Sequence, residues 1–321
     1  MVPPVLVLAT HKIFTQFSTS ALSEMLESGY PIKLFVLDNL NPNPENAAID
    51  FSTNANVFWP LMGNSSTTIS KVSLADANGM FAEMQSALET LNGAVVSILC
   101  PNTFAHNINP QRWRQLSDLA VNTRGYTPFS FNPATAGKSF GMKFNTQAVP
   151  QEKEQWLEVE LKHIVEEEEQ TLKYKPTWAD WAFLLTSWKA CFNKLENAAN
   201  TVSMADFLLL DAEKRAKAIP VILRVNEENL LVRYAANEQV IKSTEAVQRS
   251  YNLFREIAGL HTAFPEKLKA EVEAELSKSY KTEEAKFKAE LAKEKAAWEA
   301  NHTAEIKEQI RTRLMQLAQE A

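Results

Sequence analysis

Val5-Leu-Val-Leu-Ala9 and Ile32-Lys-Leu-Phe-Val-Leu37 are two short, continuous apolar runs, and between them Phe17, Ala21, Leu22, Met25 and Leu26 recur at helical spacing up to Gly29. A run with no polar alternation suits a strand covered on both faces, as parallel strands are. Strand, helix and strand in that order predict a βαβ unit. Working outward, Ile69 to Leu74 predicts a third strand and Met80 to Leu91 a helix ending near Gly93. Ala94-Val-Val-Ser-Ile-Leu-Cys100 is then a fourth strand, stopped by Pro101. The first hundred residues therefore predict a parallel α/β sheet.

Downstream, Trp113 to Val121 predicts a helix, and Gly125 to Pro133 is extended and too rich in proline for regular structure. Gln151 to Tyr174 is read as a helix with Trp156, Leu157, Leu161, Ile164 and Val165 on one side, and Glu166 to Glu169 as its solvated face. Thr177-Trp-Ala-Asp180 has capping-box spacing, after which Trp178, Trp181, Leu185, Trp188 and Phe192 fall on one broad face of an amphipathic helix docked on a core. Between Ile219 and Ala235 the period becomes two, giving a β-hairpin around Asn226 to Asn229. A helix from about Glu238 to Ala258 stops at Gly259.

Beyond Pro265 there is neither Gly nor Pro, and residues 266–321 carry 11 basic and 12 acidic side chains. That composition predicts one long, charged helix or coiled coil. Its apolar positions recur in steps of 4 and 7, as in Leu276, Phe287 and Trp298 or Tyr280 and Leu291. An eleven-residue repeat winds a nearly straight or slightly right-handed seam, and a seam on a charged helix calls for a partner surface: a second copy, or a larger complex. The chain thus divides into an α/β domain over residues 1–145, a mostly helical extension with one hairpin (219–235) over 146–264, and a helical tail over 265–321.

Composition narrows the function classes. The 321 residues include only 8 Gly, where average usage would give about 22. No GxGxxG or GxxxxGK[ST] loop occurs, so the nucleotide cradles that need glycine are excluded. Net charge is −6 with basic residues dispersed among acids, which offers no field for nucleic acid. Cys100 and Cys191 lack the spacing for an iron–sulfur cluster or a four-cysteine zinc site. Two unpaired cysteines, no signal-peptide pattern after Met1 and no run of 18 apolar residues predict a soluble, cytoplasmic protein without a membrane span.

The stretch Pro3 to Asp38, with Ala21-Leu-Ser-Glu-Met-Leu-Glu-Ser-Gly29 and Val36-Leu-Asp38 inside it, resembles the thiamine-diphosphate-binding region of pyruvate:ferredoxin (flavodoxin) oxidoreductases. In that family a strand leads into a GDG motif, then a helix ending ALSxMLxSG, then a strand ending VLD and an NTGG turn. Leu119-Ala-Val-Asn-Thr-Arg-Gly-Tyr-Thr-Pro-Phe-Ser-Phe-Asn-Pro133 is similar to the family's A-V-x-[ST]-x-x-[YF]-x-P-L ending. The resemblance covers about residues 3–145 and implies a thiamine-fold-like α/β domain. Thiamine diphosphate (ThDP) and Mg²⁺ are the cofactors it implies. Its partners would be the other subunits or domains of a 2-oxoacid oxidoreductase and, through them, ferredoxin or flavodoxin.

The departures fall on the motifs that would carry the chemistry. Thr10-His11-Lys12 stands where the family has GDG, and Pro44-Glu45-Asn46-Ala47 falls near the NTGG position. A hard cation needs oxygen ligands, and neither the motif carboxylate nor the motif glycines are present. The resemblance leaves His11, Lys12, Asn41 and Asn43 as the cofactor-binding candidates, with no catalytic residue and no metal ligand assigned. Lys12 at a helix start can attract an anion. His106 and Cys100, near the carboxyl end of a strand, are weaker candidates, read as a loop histidine and a buried inert thiol. The expectation is a component of a pyruvate:ferredoxin-type 2-oxoacid oxidoreductase, unable to decarboxylate alone. The alternative is a non-catalytic thiamine-fold scaffold that assembles through residues 266–321.

Overall fold

The structure, a computed structural model, describes residues 3–11, 13, 18–40, 58–63, 66–103, 107–135, 139–166, 168–197, 199–261 and 264–320. The chain forms two compact units, Met1–His261 and Thr262–Ala321. The first is a mixed α/β unit around a mostly parallel sheet. Its strands are β1 (Val5–Thr10), β2 (Ile32–Asp38), β3 (Thr68–Ser73), β4 (Ala94–Leu99), β5 (Phe129–Phe131) and β6 (Phe144–Asn145), in the order β1-β2-β4-β3-β5-β6. The first four are mutually parallel, whereas β5 runs antiparallel to β3 and β6 antiparallel to β5.

The crossover helices start where the sequence offers caps. Ser18 accepts from Ala21 N–H (3.2 Å) ahead of α1 (Thr19–Glu27), which ends before Gly29 at φ +77°. A short α2 (Phe58–Met62) follows β2, and Asp76 accepts from Gly79 N–H (3.0 Å) to open α3 (Ala77–Glu89). Leu22, Leu26, Phe58 and Leu61 pack on the sheet face that carries Leu34, Val36, Ile69 and Val95. Met80 and Ala87 pack on the other face, against Phe35, Val72, Val96 and Ile98. β2 and β4 are buried as their apolar runs predict. β1 is not: it lies at the sheet edge, leaving Val5, Leu6 and Leu8 51%, 57% and 68% exposed. An unbroken apolar run marks a strand but not its place in the order.

After β4, α4 (Trp113–Asn122) forms as its spacing predicts. The stretch from Gly125 to Pro133 does contain regular structure, since three of the four residues between its prolines form β5 and pair with β3. The helix expected over Gln151 to Tyr174 is instead a hairpin, β7 (Val159–Val165) and β8 (Glu168–Tyr174), with Glu166 at φ +51° in its turn. Val159, Leu161 and His163 turn inward while Glu160 and Lys162 face solvent, a period of two that the flanking apolar residues had disguised. Cross-strand pairs Lys162–Glu169 (3.1 Å) and Lys173–Glu158 (2.9 Å) flank it.

The tryptophan-rich stretch is core, as expected, but not one helix. It comprises α5 (Trp178–Ala182), a 3₁₀ turn (Thr186–Cys191) and β9 (Phe192–Leu195). Trp178, Trp181 and Trp188 are fully buried, and the Trp178 and Trp188 rings meet edge to face at 4.8 Å. β10 (Thr201–Ser203) leads into α6 (Met204–Phe207) and α7 (Ala212–Arg215). The expected hairpin is present as β11 (Ile219–Val225) and β12 (Leu231–Ala236), inside a second sheet ordered β10-β11-β12-β9. Its register, Val225 opposite Leu231, makes the loop one residue longer than the sequence spacing suggests. The extension after residue 145 is therefore richer in strand than expected.

α8 (Glu238–Ile257), capped by Asn237 and ended at Gly259 (φ +73°), belongs to both cores. Val240, Ala246 and Val247 join the tryptophan cluster, while Tyr251 and Phe254 join the sheet core. Gly125 sits so close to Trp178 that an added Cβ would lie 2.9 Å from its ring. The second unit is α9 (Phe264–Glu320), an uninterrupted helix of 57 residues. Among the described residues, no helix is long and apolar enough to cross a membrane.

Candidate functional site

The parallel strands bring their carboxyl ends, Thr10, Asp38, Leu99 and Ser73, to one edge of the sheet. The helices after β1 and β2 lie on one face and the helix after β3 on the other. The crevice where connections change face, between β2 and β4, is where open α/β sheets bind ligands.

Asp38 occupies this point. Its Oδ1 accepts from Leu40 N–H (3.1 Å), with Leu40 at φ +41°, and its backbone carbonyl accepts from Cys100 N–H (2.8 Å). His11, held by its N–H to Leu37 O (3.1 Å), places Nδ1 3.8 Å from Asp38 Oδ2. From β3, Lys71 stands in register with Ser97 of β4 and Phe129 of β5. Its Nζ lies 4.4 Å from the centre of the Tyr126 ring and 5.4 Å from that of Phe58. The Tyr126 hydroxyl donates to Ser97 O (2.9 Å).

Burial dominates the electrostatics. It pulls the Lys71 ammonium down to about 8, against the field of Asp38, which acts in the opposite direction. Burial, and secondarily the Asp38 charge, push the Cys100 thiol up to about 11 and the Tyr126 phenol well above its ordinary value. At neutral pH Cys100 is a thiol, which does not suit a nucleophile. Lys71 therefore loses its charge much nearer neutrality than an ordinary lysine. A cavity of about 420 Å³ opens between α3 and α4, lined in part by Lys71 itself and by Ser73, Asp76, Glu83, Asp118 and Asn122. Its Glu83 carboxylate accepts from Ser70 Oγ (2.6 Å).

Of the sequence candidates, His11 stands at the switch point, while Lys12, Asn41, Asn43, residues 44–47 and His106 lie outside the described residues. Glu166, read in a helix face, sits in the β7–β8 turn. Three residues of the cluster, Asp38, Lys71 and Tyr126, escaped the sequence reading. The available signal was Lys71, a lone cation in Ile69-Ser-Lys-Val-Ser73, whose partners become adjacent only through strand register.

Magnesium, which the resemblance implies, prefers near-octahedral oxygen ligation. The cluster offers one carboxylate, one of whose oxygens already accepts a backbone N–H while the other faces His11, beside a lysine ammonium. Among the described residues no three His, Cys, Asp or Glu side chains are grouped as metal ligands. The described residues do not fit a Mg²⁺-bridged diphosphate. The chain matches no family model and no curated protein.

Proposed function

We propose that this chain is an assembly subunit of a pyruvate:ferredoxin (or flavodoxin) type 2-oxoacid oxidoreductase, built on a thiamine-fold-like α/β unit. One observation carries the assembly role. The 57-residue α9 displays ten apolar side chains between Leu268 and Leu314, each 43–64% exposed, in a chain that buries Trp178, Trp181 and Trp188 fully. Water-exposed apolar surface on this scale marks an interaction site. The resemblance of residues 3–145 supplies the enzymatic context. The switch point supports a non-catalytic role, because Lys71 and Asp38 offset each other's charge there and the donors among the described residues suit no hard cation. ThDP, iron–sulfur clusters and the acceptor site would reside on partner chains. The free thiols of Cys100 and Cys191 support a reducing, cytoplasmic setting.

The competing reading, a ThDP-binding component completed by a partner, draws on His11 and Lys71 at the ligand-binding edge of the sheet. Titration calorimetry with ThDP and Mg²⁺ separates the two. The assembly reading expects no heat from the chain alone and, with a candidate partner, only heat that His11→Ala and Lys12→Ala leave unchanged; micromolar binding abolished by either substitution would replace it with the enzyme reading.

A further inference from the structure

We infer that α9 joins two copies of this chain as an antiparallel pair whose two-fold axis passes beside Ala289, a conclusion that rests on the assembly role above. The seam is nearly symmetric about that residue. Leu268 and Ile310, Val272 and Ile306, Tyr280 and Trp298, and Phe287 and Leu291 each lie equally far from Ala289 on its two sides. A reversed copy placed on that axis therefore sets apolar against apolar in each of these layers. A fifth layer sets Leu276 against His302, whose ring already stacks on Trp298 at 5.0 Å and 16°, and Leu314 lies beyond these five layers. All the seam side chains named are exposed and available for such contact.

Winding selects a second copy over an unrelated flat surface. An α-helix turns every 3.6 residues, so a stripe advancing in steps of four and eleven drifts right-handedly around the rod. A flat surface meets only part of such a stripe. A two-fold-related copy carries the same winding with the same hand, and keeps its stripe turned toward the first along the whole seam.

Charge selects the antiparallel orientation. Glu271, Glu273 and Glu275 outnumber Lys269 over residues 268–276 at the start of the seam, whereas Lys307, Arg311 and Arg313 outnumber Glu305 and Glu308 over residues 305–314 near its end. Parallel copies would set acid beside acid and base beside base, and would stack the bulky Tyr280, Phe287 and Trp298 each against its own image. The reversed copy brings the basic end of one helix to the acidic start of the other, with Lys307 level with Glu271, and sets each aromatic against a different side chain.

The test uses full-length chains carrying Val272→Cys or Ile306→Cys, with Cys191 buried and Cys100 half-buried in both. Light scattering is expected to give twice the chain mass. Under mild oxidation, an equimolar mixture is expected to yield a disulfide joining the two variant positions, while neither variant links to itself. Self-linking of each variant alone overturns the antiparallel arrangement, and a one-chain mass overturns self-association. Phe287→Glu combined with Leu291→Glu is expected to halve the mass while the far-ultraviolet circular dichroism of the Met1–His261 unit persists; an unchanged mass would move the interface off this seam. None of these failures coincides with failure of the assembly role, which the calorimetric binding of ThDP would signal instead.

Discussion

Asp180 shows how one carboxylate can both organise a core and oppose it. Its oxygens accept from Thr177 N–H (2.8 Å) and the Tyr174 hydroxyl (2.8 Å), closing the capping box that starts α5. Only 2% of the residue is exposed, and burial outweighs those bonds, raising its carboxyl from 3.8 to about 6. Between those two pH values the native state binds more protons than the unfolded chain, so stability falls as pH rises; below them the effect is absent, and above them the loss is complete at ~3 kcal/mol. Asp180→Asn is expected to remove this slope. Urea unfolding at pH 4 and pH 7 should show the unmodified chain losing stability relative to the variant over that interval. The Thr177-x-x-Asp180 spacing was legible in the sequence. The Tyr174 contact was not, because it depends on β8 being a strand. The candidate site divides in the same way: His11 follows from a motif alignment, whereas Lys71 and Tyr126 meet only through sheet register.

At the level of elements, what was legible is what repeats locally. β1, β2, β4, α1, α3 and α8 announce themselves by period, cap and terminal glycine. The β7–β8 hairpin does not, since Leu161, Ile164 and Val165 satisfy helical spacing as readily as strand spacing. Lys33 shows the opposite limit, a residue that sequence reading passes over inside an apolar strand. It is fully buried, and its Nζ donates to Thr90 O and Asn92 O, both at 2.6 Å, binding β2 to the carboxyl end of α3. A cation there also meets the negative end of the helix dipole. Lys33→Met leaves two carbonyls without donors and is expected to cost about 2 kcal/mol. In a unit of this size that lowers the unfolding midpoint by about 4–8 °C in calorimetry; an unchanged midpoint would show that water replaces the ammonium without loss.

For the whole molecule, cohesion is uneven. Arg124 ties the end of α4 to the segment leading into the β7–β8 hairpin, donating to Gln151 O (3.0 Å), Glu154 O (2.9 Å) and Gln155 O (3.3 Å) with its guanidinium 4.4 Å from the Tyr251 ring centre. Tyr251 in turn donates to Glu152 O (2.8 Å). α9, by contrast, is a compact unit of its own. A chain shortened after His261 is therefore expected to keep the urea midpoint of the α/β unit, by tryptophan fluorescence, while light scattering falls to one chain mass. A lowered midpoint would mean that the tail stabilises more than itself. The strand order carries a separate consequence, for the route by which the protein acquires its shape. β2 and β3 never pair with each other, since both are hydrogen-bonded to β4, which enters the chain last of the three. The sheet cannot grow strand by strand in the order of synthesis, and closing such distant pairings is slow. Until Ala94–Leu99 has emerged, β2 and β3 each wait with an open side, so the central layer condenses in one late, cooperative step around β4.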